Sequence, residues 1–222
     1  MSELSGWVYD VEVYADFYMV GFLRIDGDEH RVFASYLQNM DDLKPWWDAH
    51  QSDLMIGFNN HAYDDMILKM FLDGVRCHQT ILGASSNYFA NPPRWAARPF
   101  KSRTIDLLAI GGRFMGSLKW NGVLLDHKRL QELPYPAGQA LVAAEKCENV
   151  IAYNYNDLQI TKKVAFCMQE GIKARFGLNQ AYGVDVSSDK DASVGSTILS
   201  KLMFNCQRSR ELTRHRSRKR TR

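Results

Sequence analysis

The sequence predicts a single α/β domain with a mixed sheet, on three observations. Its first part carries three successive strand-like runs rich in β-branched and aromatic residues. Beyond them, short apolar runs alternate with segments of 3.6-residue periodicity. No internal repeat and no clear linker divides the 222 residues, a length suited to one large domain or to one domain plus an appendage.

The elements follow in order. GWVYDVEVY and FYMVGFLRI read as strands, the turn signal Asp26-Gly27 follows, and RVFASYL supplies a third strand, giving a meander. MDDLKPWWDAHQ reads as a helix, DLMIGFN as a short apolar strand, and YDDMILKMFLDG as an amphipathic helix closed by Gly74. Residues 84–103, rich in Pro, Asn, Ser and Arg, predict a long loop. TIDLLAI is a further strand. From Ser117 to Gly138 the pattern is irregular, broken by Pro134 and Pro136. CENVIAYNYNDLQITKKVAFCMQEGI predicts a long helix and KDASVGSTILSKLMF a final one. Together these imply a three-stranded antiparallel meander extended by parallel strands and flanked by helices.

Composition is that of a globular protein, with 45% hydrophobic and 24% charged residues. No apolar run approaches the roughly 18 residues of a membrane helix, and no signal-peptide pattern opens the chain. No membrane association and a cytoplasmic location are therefore expected. The four cysteines stand far apart without zinc-ligand spacing, as reduced thiols do. Charge is unevenly spread: residues 206–222 carry a net +7, leaving −4 for the rest of a chain of formal charge +3. Such a tail either neutralises phosphates or is a disordered end.

The acidic residues point to chemistry. Asp10 and Glu12 are two apart in an apolar run, so they share one face of a strand that the meander makes central. Buried carboxylates repel unless a cation neutralises them, and hard divalent ions prefer oxygen ligands. Asp64 follows the polar turn Asn59-Asn60-His61, where helix capping alone explains one of the acids Asp64 and Asp65 but not the turn. Tyr153 and Asp157 are four apart and share a helix face. Asp10, Glu12, Asp64 and Asp157 are thus candidate ligands for two Mg²⁺ or Mn²⁺ ions about 3.5–4 Å apart, an arrangement suited to displacement at phosphorus. Tyr153 would orient the attacking water. Taken singly, each segment has an ordinary structural explanation: an exposed strand face, a helix cap, a solvated helix face.

In order, DVE, NHAYD within NNHAYDD, and YNYND resemble the three exonuclease motifs of the DEDD superfamily: Asp-x-Glu, Asn-x-x-(Phe/Tyr)-Asp matched by Asn60, Tyr63 and Asp64, and Tyr-x-x-x-Asp matched by Tyr153 and Asp157. Tyrosine in the third motif marks the DEDDy branch, and the pattern is similar to the proofreading domains of family B DNA polymerases, phage enzymes above all. Ser117-Leu118 resembles that family's Ser/Thr-Leu element for single-stranded DNA. The resemblance covers roughly residues 5–170. It implies a ribonuclease H-like fold and metal-dependent removal of nucleotides from a single-stranded DNA or primer 3′ terminus. The departures are Val13, where the family often has Thr or Ser, Asn121, where it has an apolar residue, and the lack of polymerase motifs.

This implies an exonuclease domain over 5–175, a helical segment over 176–205 that leads toward an absent polymerase domain, and a basic tail over 206–222, with a separate polymerase subunit as a conceivable partner. A 3′–5′ exoribonuclease and a non-catalytic nucleic-acid-binding remnant are the alternatives. Asn59 and Asn60 are candidate contacts to the terminal nucleotide. Tyr63, Tyr88, Phe89 and Trp95 are candidate stacking platforms, and Arg94, Arg98, Lys101 and Arg103 candidate linings of a single-strand channel.

Overall fold

The computed structural model describes residues 4–91, 99–100 and 103–204. The expected positions Arg94, Trp95, Arg98, Lys101 and the basic tail lie outside them. Within the described residues the fold is α/β, a five-stranded mixed sheet flanked by helices. The strands are β1 (Trp7–Val13), β2 (Tyr18–Arg24), β3 (His30–Ala34), β4 (Met55–Gly57) and β5 (Thr104–Asp106), in the spatial order β3-β2-β1-β4-β5. The first three are antiparallel, and β4 and β5 add in parallel. β1 is central, as its apolar flanks predict.

The period-two alternation of β1 sorts its side chains between two cores. Trp7, Tyr9 and Val11 face α1 (Leu43–Ala49), α2 (Asp64–Leu72) and α3 (His78–Ala90), packing with Phe22, Trp47, Ile67 and Phe71. Val8 faces the other side, where α4 (Leu107–Ile110) and the 39-residue α6 (Ala144–Tyr182) cover the sheet through Ile110, Leu158 and Val164. Asp10 and Glu12 follow Val8 at two-residue steps and belong to this α6 face. Parallel pairing of β1 with β4 stops at Val8–Ile56, so the carboxylate-bearing half of β1 has no strand on that side.

Four segments differ from expectation. α3 continues to Ala90, so the long loop is shorter than 84–103 predicts. Its Ser85 is buried against Tyr63, which its polar composition masks. TIDLLAI is a strand only to Asp106, whose carboxylate accepts from Leu108 N (3.0 Å) and Ala109 N (3.2 Å) and starts α4. The irregular stretch after Ser117 begins with α5 (Leu118–Leu124), capped by the Ser117 hydroxyl on Trp120 N. α6 starts earlier and ends later than the apolar pattern suggests, crossing residue 175 and closing at Gly183 in the left-handed region. The chain then returns to the sheet: Val186 is buried and the Ser188 hydroxyl accepts from Asp106 N at 3.1 Å. A final helix, α7, covers 191–204, as expected. No helix among the described residues is long and apolar enough to cross a membrane.

One glycine is required for α6 to seat. Gly21 pairs with Asp10 across the β1–β2 ladder, and a Cβ there would lie 2.0 Å from Asn154 Oδ1 and 3.0 Å from Leu158 Cδ1. Gly21→Ala is expected to cost about 1–3 kcal/mol, as overpacking of a close contact does. Thermal unfolding measures it, and an unchanged melting temperature would mean that α6 does not rest on β2 this closely.

Candidate active site

Three links bring the predicted acids together at the free end of β1. The first is made by Asp64. Beyond Val8 no strand accepts the β1 amides on the β4 side, and a buried N–H without a partner is costly. Asp64 Oδ1 accepts from Val11 N at 3.1 Å, which fixes the start of α2 against β1. The second is Asn154, buried on α6 through its close approach to Gly21. Its Nδ2 donates to Asp10 Oδ2 at 2.9 Å and lies 3.3 Å from Asp10 O. The third is Lys119 on α5, whose Nζ donates to Tyr153 OH at 3.0 Å and to Asp157 Oδ2 at 3.3 Å. Tyr153 and Asp157 therefore do share one helix face. The ammonium also lies 4.5 Å from the Tyr153 ring centre.

The electrostatics describe acids crowded with too little positive charge. Burial and then the Asp157 charge push Asp10 up to about 7, against the pull of Lys119. Glu12 is raised well above the carboxylate range by burial, then by Asp10, Asp157 and Asp64. Asp64 is raised well above it by burial and by Asp10. Asp157 is raised by burial, with Lys119 opposing. Asp157 thus acts on Asp10, Asp10 acts on Asp64, and all three act on Glu12, which relates carboxyl groups of β1, α2 and α6 to one another. Asp10 and Glu12 nevertheless keep part of their surface open, so the region is reachable. Burial and Asp157 raise Tyr153 too, and its hydroxyl keeps its proton.

Other predicted residues have different surroundings. Asn60 is not free to meet a nucleotide: it is fully buried, its Nδ2 donating to Tyr9 OH (2.6 Å) and Asp65 Oδ1 (3.1 Å). Asp65, which the sequence leaves as a cap, also accepts from Tyr9 OH and from Thr104 Oγ1, tying β1 to β5. Asn59 is exposed in the left-handed region, with its amide held by Asp106 Oδ1 at 2.9 Å. The Tyr63 hydroxyl lies 2.8 Å from Ser85 Oγ and its ring packs on exposed Phe89 at 4.7 Å between centres. Tyr88 packs partly buried on the core. Arg103 does not line a channel: it stacks on Trp47 and donates to Trp47 O and His50 O. Ser117 is exposed as the cap of α5, Leu118 is half-buried beside it, and Asn121 is buried with Nδ2 on Phe114 O at 3.3 Å. Val13 packs partly buried against the core.

Sequence reasoning missed Lys119 and Asn154. Both had a signal. Lys119 directly follows the Ser117-Leu118 pair, and Asn154 precedes Asp157 by three positions, on the neighbouring strip of the same helix.

Among the described residues, no group of three or more His, Cys, Asp or Glu side chains stands close enough to hold a metal ion as it lies. The donor chemistry fits one all the same. The set is all carboxylate, which suits hard divalent cations, and its raised pKa values mark a deficit of positive charge that Lys119 alone offsets in part. The chain matches no protein-family model, and no curated protein is significantly similar to it.

Proposed function

We propose that this chain is a metal-dependent 3′–5′ exonuclease of the DEDDy type, with a ribonuclease H-like fold, acting on single-stranded DNA or primer 3′ ends. The observation that carries the reading is the nearness of Asp10, Glu12, Asp64, Asp157 and Tyr153, which three separate elements supply, in the chain order of the motifs that the sequence resembles. The sheet, an antiparallel meander extended by two parallel strands, supports the fold assignment.

Asp10, Glu12, Asp64 and Asp157 would hold Mg²⁺ or Mn²⁺, which would supply charge stabilisation at the phosphate and a more acidic water. The chain's own groups do the rest. Tyr153, protonated and held by Lys119, is set to orient the attacking water through its hydroxyl. Lys119 provides the positive charge nearest Asp157, so it also offsets charge building on the phosphate oxygens. Asn154 fixes Asp10, and Asp64 fixes the strand end that carries Glu12. Asn59, Phe89 and Ser117 are exposed and stand as candidate contacts to the strand.

The test is incubation of purified protein with 5′-labelled single-stranded DNA and Mg²⁺ or Mn²⁺. Stepwise shortening from the 3′ end is expected. Binding without shortening in either metal would sink the reading, and shortening of an RNA counterpart alone would move it to an exoribonuclease. Lys119→Met is expected to lower turnover about 10–100-fold, the usual loss on removing a group that supports metal ligands. Steady-state kinetics check this, with the loss expected in kcat more than in KM.

A further inference from the structure

The flank of α6 toward the β2–β3 turn, next to the carboxylates, carries a groove that the chemistry above does not use. A cavity of about 610 Å³ lies among that flank, Leu23 and Asp28 of the β2–β3 hairpin, and the segment 126–131. Its α6 wall runs from Ala152 through Tyr155, Gln159 and Lys163 to Phe166. That is one helical stripe at three- and four-residue steps, about 21 Å long. A second cavity, of about 460 Å³, shares Arg129, Gln131 and Ala152 with the first and ends at Tyr153. The groove therefore begins beside the candidate catalytic tyrosine and leads away from it.

Its chemistry selects an anionic, aromatic ligand. Lys128, Arg129 and Lys163 line it, and none of the three has a carboxylate partner among the described residues. The opposing acids are Asp126 and Asp28 in the first cavity and Glu132 in the second, and Asp28 faces Lys162 at 3.9 Å. At the floor, Asn156 is 6% exposed and Oδ1 is 3.0 Å from His127 Nε2. His127 Nδ1 makes no hydrogen bond within the described residues, although buried polar atoms normally do. Tyr155, partly buried against His30 near the start of the groove, and the exposed ring of Phe166 at its far end give apolar aromatic surface. Unpaired cations along a groove with aromatic faces and an unused polar group match the backbone, the bases and the base edges of a single strand.

We propose that this groove carries the nucleotides lying 5′ of the terminal one, about 4 of them by the lower range of single-strand sites. The proposal deepens the exonuclease reading and rests on it for the direction of the strand. Binding can be tested without turnover. Fluorescence anisotropy in EDTA would follow a labelled 12-nucleotide oligothymidine against salt, for the wild type and for the triple variant Lys128→Gln, Arg129→Gln, Lys163→Gln. The variant is expected to bind at least about tenfold more weakly, with a log–log salt slope flatter by about 2, at roughly 0.7 per lost single-strand phosphate contact. Photo-crosslinking from 4-thiothymidine placed 3–6 nucleotides from the 3′ end is expected to mark the peptides 126–135 or 152–166. Unchanged affinity and slope, or crosslinks confined to other peptides, would overturn the groove. The two readings fail separately. A wild type that never shortens strands, yet loses binding in the variant, keeps the groove and ends the exonuclease. One that shortens strands while the variant binds normally does the reverse.

Discussion

Replacing Asp10 by alanine is expected to reduce shortening of a 3′-ended single strand by about a thousandfold, and EDTA is expected to abolish it in the wild type. Asp10 is the strongest single test because it stands at the centre of the carboxyl group. It contributes to the raised state of both Glu12 and Asp64, it feels Asp157 directly, and Asn154 holds it in place. A residue that merely filled space on β1 could be truncated with little effect on turnover at constant fold. The variant must therefore be compared with the wild type by circular dichroism and melting temperature. A folded Asp10→Ala protein that shortens strands at the wild-type rate would remove these acids from the chemistry.

The second large effect concerns stability and has the opposite sign to an ordinary core mutation. Asp10 is pushed up from an ordinary 3.8 to about 7 in the folded chain, so folding favours its protonated form. Below pH 3.8 both folded and unfolded chains hold the proton and the group costs nothing. As pH rises from there toward 7 the folded state loses its advantage, and above 7 the full penalty of a buried, repelled charge is present. Asp10→Asn keeps the shape and removes the charge. In EDTA at pH 8 it is expected to stabilise the protein by about 2–4 kcal/mol, from the size of that shift. Its melting temperature should rise by roughly 5–10 °C. The gain should shrink steadily as pH falls toward 4. Added Mg²⁺ should stabilise the wild type and leave the variant much less affected, since a ligand that binds only the folded state adds stability by mass action. Equal melting temperatures for the two proteins in EDTA at pH 8 would mean that Asp10 carries no such penalty.

That trade connects to what the sequence could and could not tell. β1 was legible because its alternation and its flanking strands left no other place for it than the middle of a sheet. Tyr153 and Asp157 were legible because a four-residue step on a helix fixes a shared face whatever the tertiary contacts. Asn60 was misjudged as a ligand contact because a polar residue beside an acid looks exposed in one dimension. Its partner Tyr9 lies 51 residues away in the chain, and only the fold shows that the amide is spent on it. The end of β5 was hidden for a similar reason. Leu107–Ile110 has strand-like composition, and it is the cap made by Asp106 that turns it into a helix. Lys119 stands beside the Ser117-Leu118 pair in the sequence, but its partners Tyr153 and Asp157 show only once α5 is laid against α6.

The shortness of the β1–β4 pairing has a mechanical consequence. The half of β1 that bears Asp10 and Glu12 is a cantilever. Along one edge it is clamped to β2 through the pairs from Asp10–Gly21 to Val13–Tyr18, and along the other, among the described residues, Asp64 pins it at Val11 N. The stiffness of the first two acids therefore comes from the β1–β2 hairpin and its tight bend, where Tyr14 N donates to Phe17 O at 2.7 Å. Lengthening the chain after α3 would load a member that the cantilever does not lean on. Lengthening the bend between β1 and β2 would shift the beam itself.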